Sequence, residues 1–269
     1  MTTDLKADVH DYWNRASCGE ELLLPNVQRE GYESQRRERY RLEPYIPEFA
    51  GFARSTGLRT LEIGVGLGAD HQSFVEGGAE MYGVDLTPRA IEHTARRLAL
   101  FGLQSRLAVG DAENLPFPED SFDLVYSWGV LHHSPDTPKA FKEVQRVLRK
   151  GGTARIMVYS KWSLIGSMLW VRYGLLRGRP FMSLRELYDK YLESPGTKAY
   201  TIAEARELCA GFREVRIRTV LTHGDLLESG AGQRHRGPLL TLARSLWPRW
   251  FFRTFTPTSG LFMLIECKK

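Results

Sequence analysis

Cysteine is scarce: three residues in 269, at Cys18, Cys209 and Cys267. They are far apart and share no metal-ligand spacing, which excludes a disulfide framework and fits reduced thiols in a cytosol. No apolar run reaches the roughly 18–20 residues that a membrane span needs. The nearest, Leu164 to Leu176, is broken by Arg172. The N-terminus, Met1-Thr-Thr-Asp-Leu-Lys-Ala-Asp, lacks the apolar core of a signal peptide. Internal repeats and low-complexity tracts are also missing. These absences point to a soluble cytoplasmic protein with no metal site. What is present is ordinary globular material: 42% hydrophobic and 26% charged residues, enough for one large domain or one domain with sizeable insertions.

The net charge of +5 conceals an asymmetry. Residues 1–159 hold 19 Lys and Arg against 23 Asp and Glu, whereas residues 160–269 hold 18 against 9. A basic C-terminal part suits either a face that meets something anionic or a solvated arginine-rich surface.

Residues 4–50 are polar and helix-like, anchored by Tyr12, Trp13, Leu22, Leu23 and Leu24, until Pro44 and Pro47 break the pattern before a helix at 48–55. A β/α alternation then begins. Strands are expected at 58–63, 81–86, 106–109, 122–127 and 154–159, and helices at 69–77, 88–100 and 137–148, the last stopped by Gly151-Gly152. After Ser160 the rhythm changes. Two helical patterns occupy 161–200, a short helix 202–210, and two strands 212–221 and 260–267, with an Arg-, Gly-, Trp- and Phe-rich stretch at 223–259 between them. The alternation predicts an α/β, Rossmann-like, mostly parallel sheet with helices on both faces. We expect a helical cap at 1–57 and a domain at 58–269 with lid insertions at about 161–200 and 223–259.

The strongest local signal is Leu61-Glu62-Ile63-Gly64-Val65-Gly66-Leu67-Gly68-Ala69. Glycines between a strand and a helix let a ligand approach the backbone and expose free N–H donors. With Ala69 in the last slot the run also fits the dinucleotide pattern G-x-G-x-x-[G/A]. Asp85 follows Gly66 by 19 residues, where a carboxylate can accept from both ribose hydroxyls. That pairing serves a nicotinamide dinucleotide as well as S-adenosylmethionine. Three features separate the two. Glu62 is badly placed beside a pyrophosphate but tolerable beside an ammonium. The third strand ends in Gly110-Asp111-Ala112-Glu113, so Asp111 can accept from an adenine amino group. The next strand follows with no room for a full crossover helix.

With these residues in hand, the sequence resembles the class I S-adenosylmethionine-dependent methyltransferases, in the broad group that includes the ubiquinone and menaquinone methyltransferases. The family's Glu-x-Gly-x-Gly-x-Gly is matched by Glu62, Gly64, Gly66 and Gly68. Its ribose acid is matched by Asp85 with Leu86, and its adenine-contacting acid by Asp111 with Ala112. Leu-Pro-Phe, Phe-Asp-Leu-Val, Leu-His-His and Arg-Val-Leu-Arg-Lys-Gly-Gly stand at 115–117, 122–125, 131–133 and 146–152. The resemblance covers about residues 58–160. It implies S-adenosylmethionine as methyl donor, and a seven-stranded sheet whose last two strands, supplied by 212–222 and 260–267, bring in one antiparallel strand near the edge.

Methyl transfer needs an in-line nucleophile, exclusion of water and a place for the nucleophile's proton. His132 and His133, in the turn after the fourth strand, are the candidate bases, and at most one of them can face the methyl group. Ser127 would present its carbonyl to the donor's amino group, Trp128 would wall the substrate, and Asp70 would cap the helix that follows the glycines. The fourth strand carries Ser127-Trp-Gly-Val130 in place of the Asn/Asp-Pro-Pro-Tyr/Phe motif of nucleobase amino-methylating enzymes. No cysteine is placed for pyrimidine or arsenite chemistry. A small-molecule acceptor is therefore expected, with no specific nucleic acid. Tyr12, Trp13, Arg36, Arg37 and Tyr40 would lie over the donor. The stripe Leu164, Met168, Val171, Leu175 reads as core. Arg244 to Phe255, with Trp247 and Trp250, suits substrate contact or a peripheral contact with lipid. The competing readings are an RNA methyltransferase using the basic part and an NAD(P)-dependent oxidoreductase.

Overall fold

Short β-branched and apolar runs, each stopped by glycine or a helix-capping residue, set the strands of the sheet. The computed structural model describes residues 2–228 and 244–269. Its strands are β1 (Arg59–Ile63), β2 (Glu80–Asp85), β3 (Arg106–Val109), β4 (Phe122–Trp128), β5 (Leu148–Ser160), β6 (Ala199–Tyr200), β7 (Glu214–Val220) and β8 (Phe262–Lys268). The sheet runs in the order β3-β2-β1-β4-β5-β8-β7, with the two-residue β6 beside the end of β5. β8 is antiparallel to both β5 and β7, and the other named pairs are parallel. Central β1 is buried from Thr60 to Ile63, as expected of a strand covered on both faces.

The helices that cover the sheet have local reasons to start where they do. The Thr87 side chain accepts from Ala90 N and Pro88 opens α6 (Pro88–Phe101), which stops at Gly102 in the left-handed region. The Asp136 side chain caps α7 (Thr137–Val147) in the same way. α5 (Ala69–Glu76) follows the glycine loop. Gly151-Gly152, expected to stop α7, instead lies inside β5. That strand begins directly at Leu148, and a register irregularity between Phe122 and Leu124 absorbs the turn.

Upstream of the sheet lie α1 (Thr2–Arg15), α2 (Glu20–Leu23), α3 (Arg29–Leu42) and α4 (Ile46–Ala50). Downstream of β5, α8 (Leu164–Leu169) runs into a π-helical turn at Trp170–Gly174, followed by α9 (Leu184–Tyr191), α10 (Ile202–Leu208) and α11 (Arg249–Phe255). The π turn shifts the repeat. Leu169 and Tyr173 therefore take the core side, while Val171 and Leu175 of the expected core stripe are exposed. Of the lid expected at 223–259, residues 229–243 lie outside the described residues.

The N-terminal helices are tied to the sheet domain by buried polar contacts. Arg97 on α6 is fully buried. Its guanidinium donates to Gln72 Oε1 at 2.7 Å, Gln35 Oε1 at 2.7 Å, the Leu67 carbonyl at 2.9 Å and the Tyr32 carbonyl at 2.7 Å. One planar fork thus joins α3, the glycine loop, α5 and α6. Arg97→Lys retains the charge but has three donors without the fork, so several of these acceptors lose their partners. Chemical denaturation should show Arg97→Lys destabilised by about 2–4 kcal/mol and Arg97→Ala by no less.

Candidate active site

β1 ends at Ile63 and the chain turns through Gly64, Val65, Gly66, Leu67 and Gly68 into α5. Gly64 has φ +85°, and a Cβ there would stand 2.1 Å from Val130 Cγ2, so no side chain fits. At Gly66, φ is +50° and a Cβ would meet nothing within 4 Å, which leaves the backbone open to the space beyond. That space is a cavity of about 800 Å³. Glu62, Gly64, Gly66, Gly68, Asp85, Leu86, Asp111 and Ala112 all line it. The residues expected to hold the donor are therefore gathered on one side of one cavity.

Each acid there has its own surroundings. Asp85 accepts from Gly66 N at 3.3 Å, Thr87 N at 3.0 Å and Thr87 Oγ1 at 2.9 Å. Burial pushes its pKa up against those bonds. Asp111 accepts from Lys6 Nζ of α1 at 2.7 Å, and the same ammonium reaches Glu113 at 2.6 Å. Glu62 is buried, 2.8 Å from His71 Nδ1, and His71 Nε2 is 2.7 Å from Ser105 Oγ. Ser105 Oγ donates to the Met81 carbonyl, so His71 Nε2–H donates to Ser105 and His71 Nδ1 is an acceptor. Glu62 consequently donates as a neutral acid. Burial drives both groups the same way, with Glu62 well above the usual carboxyl range and His71 down to about 3.

Asp70 is not a helix cap; Gly68 stands at that position. The Asp70 carboxylate takes two bonds from Arg39, at 3.0 and 2.7 Å, one from Tyr40 at 3.1 Å and one from Tyr126 at 2.9 Å. Burial opposes its ionisation, but Arg39 and these hydrogen bonds outweigh it and hold its pKa low. Tyr40 is thereby committed to α5, and Arg36 to Glu76 at 2.7 Å. The positively charged α3 residue that lines the cavity is Arg39.

The two histidines separate. His132 is fully buried and absent from the cavity lining, with neither ring nitrogen hydrogen-bonded among the described residues. Burial, with His133 and Lys198 nearby, holds its pKa well below the usual imidazole value. It has no path to an acceptor. His133 does line the cavity. Its Nδ1 lies 2.9 Å from Ser194 Oγ and 3.2 Å from Thr197 Oγ1, and its Nε2 3.5 Å from Glu193 Oε2. The Tyr159 hydroxyl donates to the same Glu193 oxygen at 2.7 Å. Trp13 packs edge-on against the His133 ring at 5.4 Å.

Ser127 is buried, and its Oγ donates to the Ile63 carbonyl at 3.0 Å, bracing β4 against β1. Ser127 itself does not line the cavity, whereas its neighbours Trp128 and Gly129 do. Trp128 stacks on Tyr45 at 6.0 Å and meets Phe262 edge-on at 5.7 Å. Tyr12, Trp13, Trp128 and Trp247 line the cavity, whereas Trp250 does not and is exposed. Trp247 Nε1 donates to the Asp225 carbonyl at 3.0 Å. Three lining residues had no motif to announce them: Arg39, Glu43 and Glu193. Burial pushes the Glu43 carboxyl up to about 7, against the pull of Arg39.

Residues 61–156 match the family described as "Methyltransferase domain". The chain is 41% identical over 99 residues to a phthiotriol/phenolphthiotriol dimycocerosates methyltransferase of Mycobacterium leprae, covering 36% of each protein. It is 32% identical over 107 residues to the sterol 4-C-methyltransferase of Caenorhabditis elegans, covering 39% of this chain and 31% of that one. The chain thus spans about a third of the length of these relatives. Among solved structures, the geranyl diphosphate C-methyltransferase of Streptomyces coelicolor, in complex with Mg2+, geranyl diphosphate and S-adenosyl-L-homocysteine, superposes with a TM-score of 0.62. Identity is 16%, with 98% of this chain and 97% of that one covered. The glycine loop, the two strand-end acids and this match agree: residues 61–156 are a class I S-adenosylmethionine-dependent methyltransferase domain.

Proposed function

We propose that the chain transfers the methyl group of S-adenosylmethionine to a small, partly apolar or aromatic acceptor drawn from a lipid surface. One observation carries this reading. One and the same cavity is lined by the glycine loop, Asp85 and Asp111 and by the apolar side chains of Leu22, Trp128, Met168, Leu176, Trp247 and Phe262. When bound, the donor supplies a methyl group already activated on a sulfonium. Asp85 would hold its ribose, Asp111 its adenine, and the glycine loop its methionine part. The apolar end excludes water and orients the acceptor. The acceptor's lone pair attacks the methyl carbon, the carbon–sulfur bond breaks, and its electrons stay on sulfur. Where the acceptor is a hydroxyl or amine, its proton passes to His133, beside Glu193. The named relatives act on sterol and phthiotriol acceptors, which favours an apolar substrate.

The outer face of the lids supports the lipid source. Trp162, Leu175, Leu176, Phe181, Leu246, Trp250 and Phe255 are all about half exposed or more. Arg172, Arg177, Arg244, Arg249 and Arg253 lie among them in sequence. Aromatic and aliphatic side chains set among arginines match an anionic bilayer surface. Leu176 is among these exposed side chains and also lines the cavity. No helix of the described residues is long and apolar enough to cross a membrane, so such contact is peripheral.

Calorimetry should show binding of S-adenosylmethionine and S-adenosylhomocysteine, weakened on the order of tenfold to a hundredfold in Asp85→Ala by loss of hydrogen bonds to a charged group. His133→Ala should leave that binding intact and lower turnover of a hydroxyl or amine acceptor by about a hundredfold. Donor binding unaffected by Asp85→Ala would remove the basis of the assignment. In co-sedimentation, vesicles containing phosphatidylserine should retain the protein and phosphatidylcholine vesicles should not. Retention should fall with added salt and in the double variant Trp250→Ala/Phe255→Ala. Equal recovery from both vesicle types would reject the anionic-surface source.

A further inference from the structure

We propose that His132, His133 and Glu193 form a binding site for one divalent transition-metal ion at the acceptor end of the cavity. Each residue offers one ligand atom, and the three atoms lie within 4.8 Å of one another. Two imidazoles and one carboxylate form a donor set that suits zinc, iron, manganese or nickel rather than calcium or magnesium.

The hydrogen bonding around the cluster calls for a cation. Both His132 nitrogens and His133 Nε2 are buried without a hydrogen-bond partner among the described residues, although buried polar atoms are nearly always paired. Thr197 Oγ1 donates its proton to the Ser194 carbonyl at 2.7 Å and so accepts from His133 Nδ1 where that nitrogen carries the proton, while Ser194 Oγ, 2.9 Å from the same nitrogen, fits either tautomer. In the Nδ1–H tautomer the lone pair of Nε2 turns toward Glu193 Oε2, 3.5 Å away. Glu193 Oε2 already accepts from Tyr159. Two lone pairs facing each other repel unless something positive sits between them. A second proton on His133 is one remedy and a metal ion is the other. His132 favours the metal, because an ion would give one of its two unpartnered buried nitrogens a partner.

The supporting contacts are those of a metal site. Ser194 and Thr197 hold the far nitrogen of His133, and Tyr159 holds the carboxylate. Bonds of about 2.0–2.2 Å require the ligand atoms to draw together from their present spread. The Glu193 side chain, 30% exposed, is the least buried of the three, while the two rings stay packed in place. His133 and Glu193 line the cavity, so the ion's remaining positions face the acceptor. An acceptor oxygen bound there would lose its proton more readily. That role rests on the methyl-transfer reading and, with the ion on His133 Nε2, takes the place of proton transfer to His133, whereas the ion site does not rest on that reading.

The test uses the full chain, stripped of metal by a chelator and titrated with Co2+ by visible absorption and with Zn2+ by calorimetry. One equivalent should bind, giving the d–d bands of a nitrogen- and oxygen-ligated Co2+ ion. Glu193→Gln, which keeps the shape and a partner for Tyr159, should weaken binding on the order of tenfold or more. His132→Ala should do the same, with folding checked by circular dichroism. Absence of saturable binding, or binding unchanged in Glu193→Gln, would overturn the site. Donor calorimetry on the same samples reports the methyltransferase reading separately.

Discussion

A buried guanidinium with no carboxylate among its hydrogen-bond partners in the described residues ties the glycine loop to the helices around it. Arg97 is surrounded by two side-chain amides and two main-chain carbonyls, and burial lowers its pKa to about 10, which leaves it charged at neutral pH. Four neutral acceptors take four of its five N–H donors without cancelling its charge, so the positive field persists beneath the glycine loop. Because one of the four is the Leu67 carbonyl, the loop's position and that of α3 are set by the same group. Whatever shifts α3 also shifts the loop. Arg39 and Glu43, which reach the cavity from α3 and its C-cap, are thereby placed relative to the donor site.

The floor of that site is neutral for a related reason. Glu62, His71, Ser105 and the Met81 carbonyl form a chain in which each member donates to the next. A charged Glu62 would face the desolvation cost of a buried carboxylate with no cation in hydrogen-bond range. The chain removes that cost by keeping the proton on the carboxyl group. An acid placed two residues before the first glycine is thus compatible with a packed core, and its reserve proton lies beside the cavity wall. Asp70, six residues after Gly64, shows the opposite solution. It stays ionised because Arg39 and two tyrosines meet it.

Most of the sheet was legible because its signals are local. Strand boundaries such as Arg106–Val109 and the cap at Thr87-Pro88 depend on a few adjacent residues. Asp85 and Asp111, the acids expected to hold the donor, were legible for the same reason: one ends β2 and the other stands two residues after β3. The acceptor side was not. Glu193 reaches His133 from 60 residues away through a turn with no motif, and the π turn at Trp170–Gly174 overrides the repeat that assigned Val171 and Leu175 to the core. Adjacent histidines are equivalent in a sequence. Only the packing of Tyr159 against the His132 ring, at 4.1 Å, separates a buried ring from one on the cavity wall. Trp247 and Trp250 divide likewise: one indole finds a carbonyl inside and the other stays in solvent.

This division of labour has a physical consequence for specificity. The donor end is rigid, built from left-handed glycines and buried hydrogen-bonded side chains whose movement would strand polar groups. The part of the cavity proposed for the acceptor is lined chiefly by leucine, methionine and aromatic side chains from α2, β4, β8 and the stretches at 161–200 and 244–255. Apolar contacts tolerate changes of shape at modest cost, whereas a buried acid or imidazole does not tolerate losing its partner. Substitutions among Leu22, Met168 and Leu176 should therefore change which apolar bodies fit without disturbing donor recognition. The few polar atoms at that end, on His133, Glu193, Tyr159 and Glu43, would then decide which reacting atom is admitted. An acceptor of any outline must still bring a nucleophile that can face those four groups without leaving one of them unsatisfied.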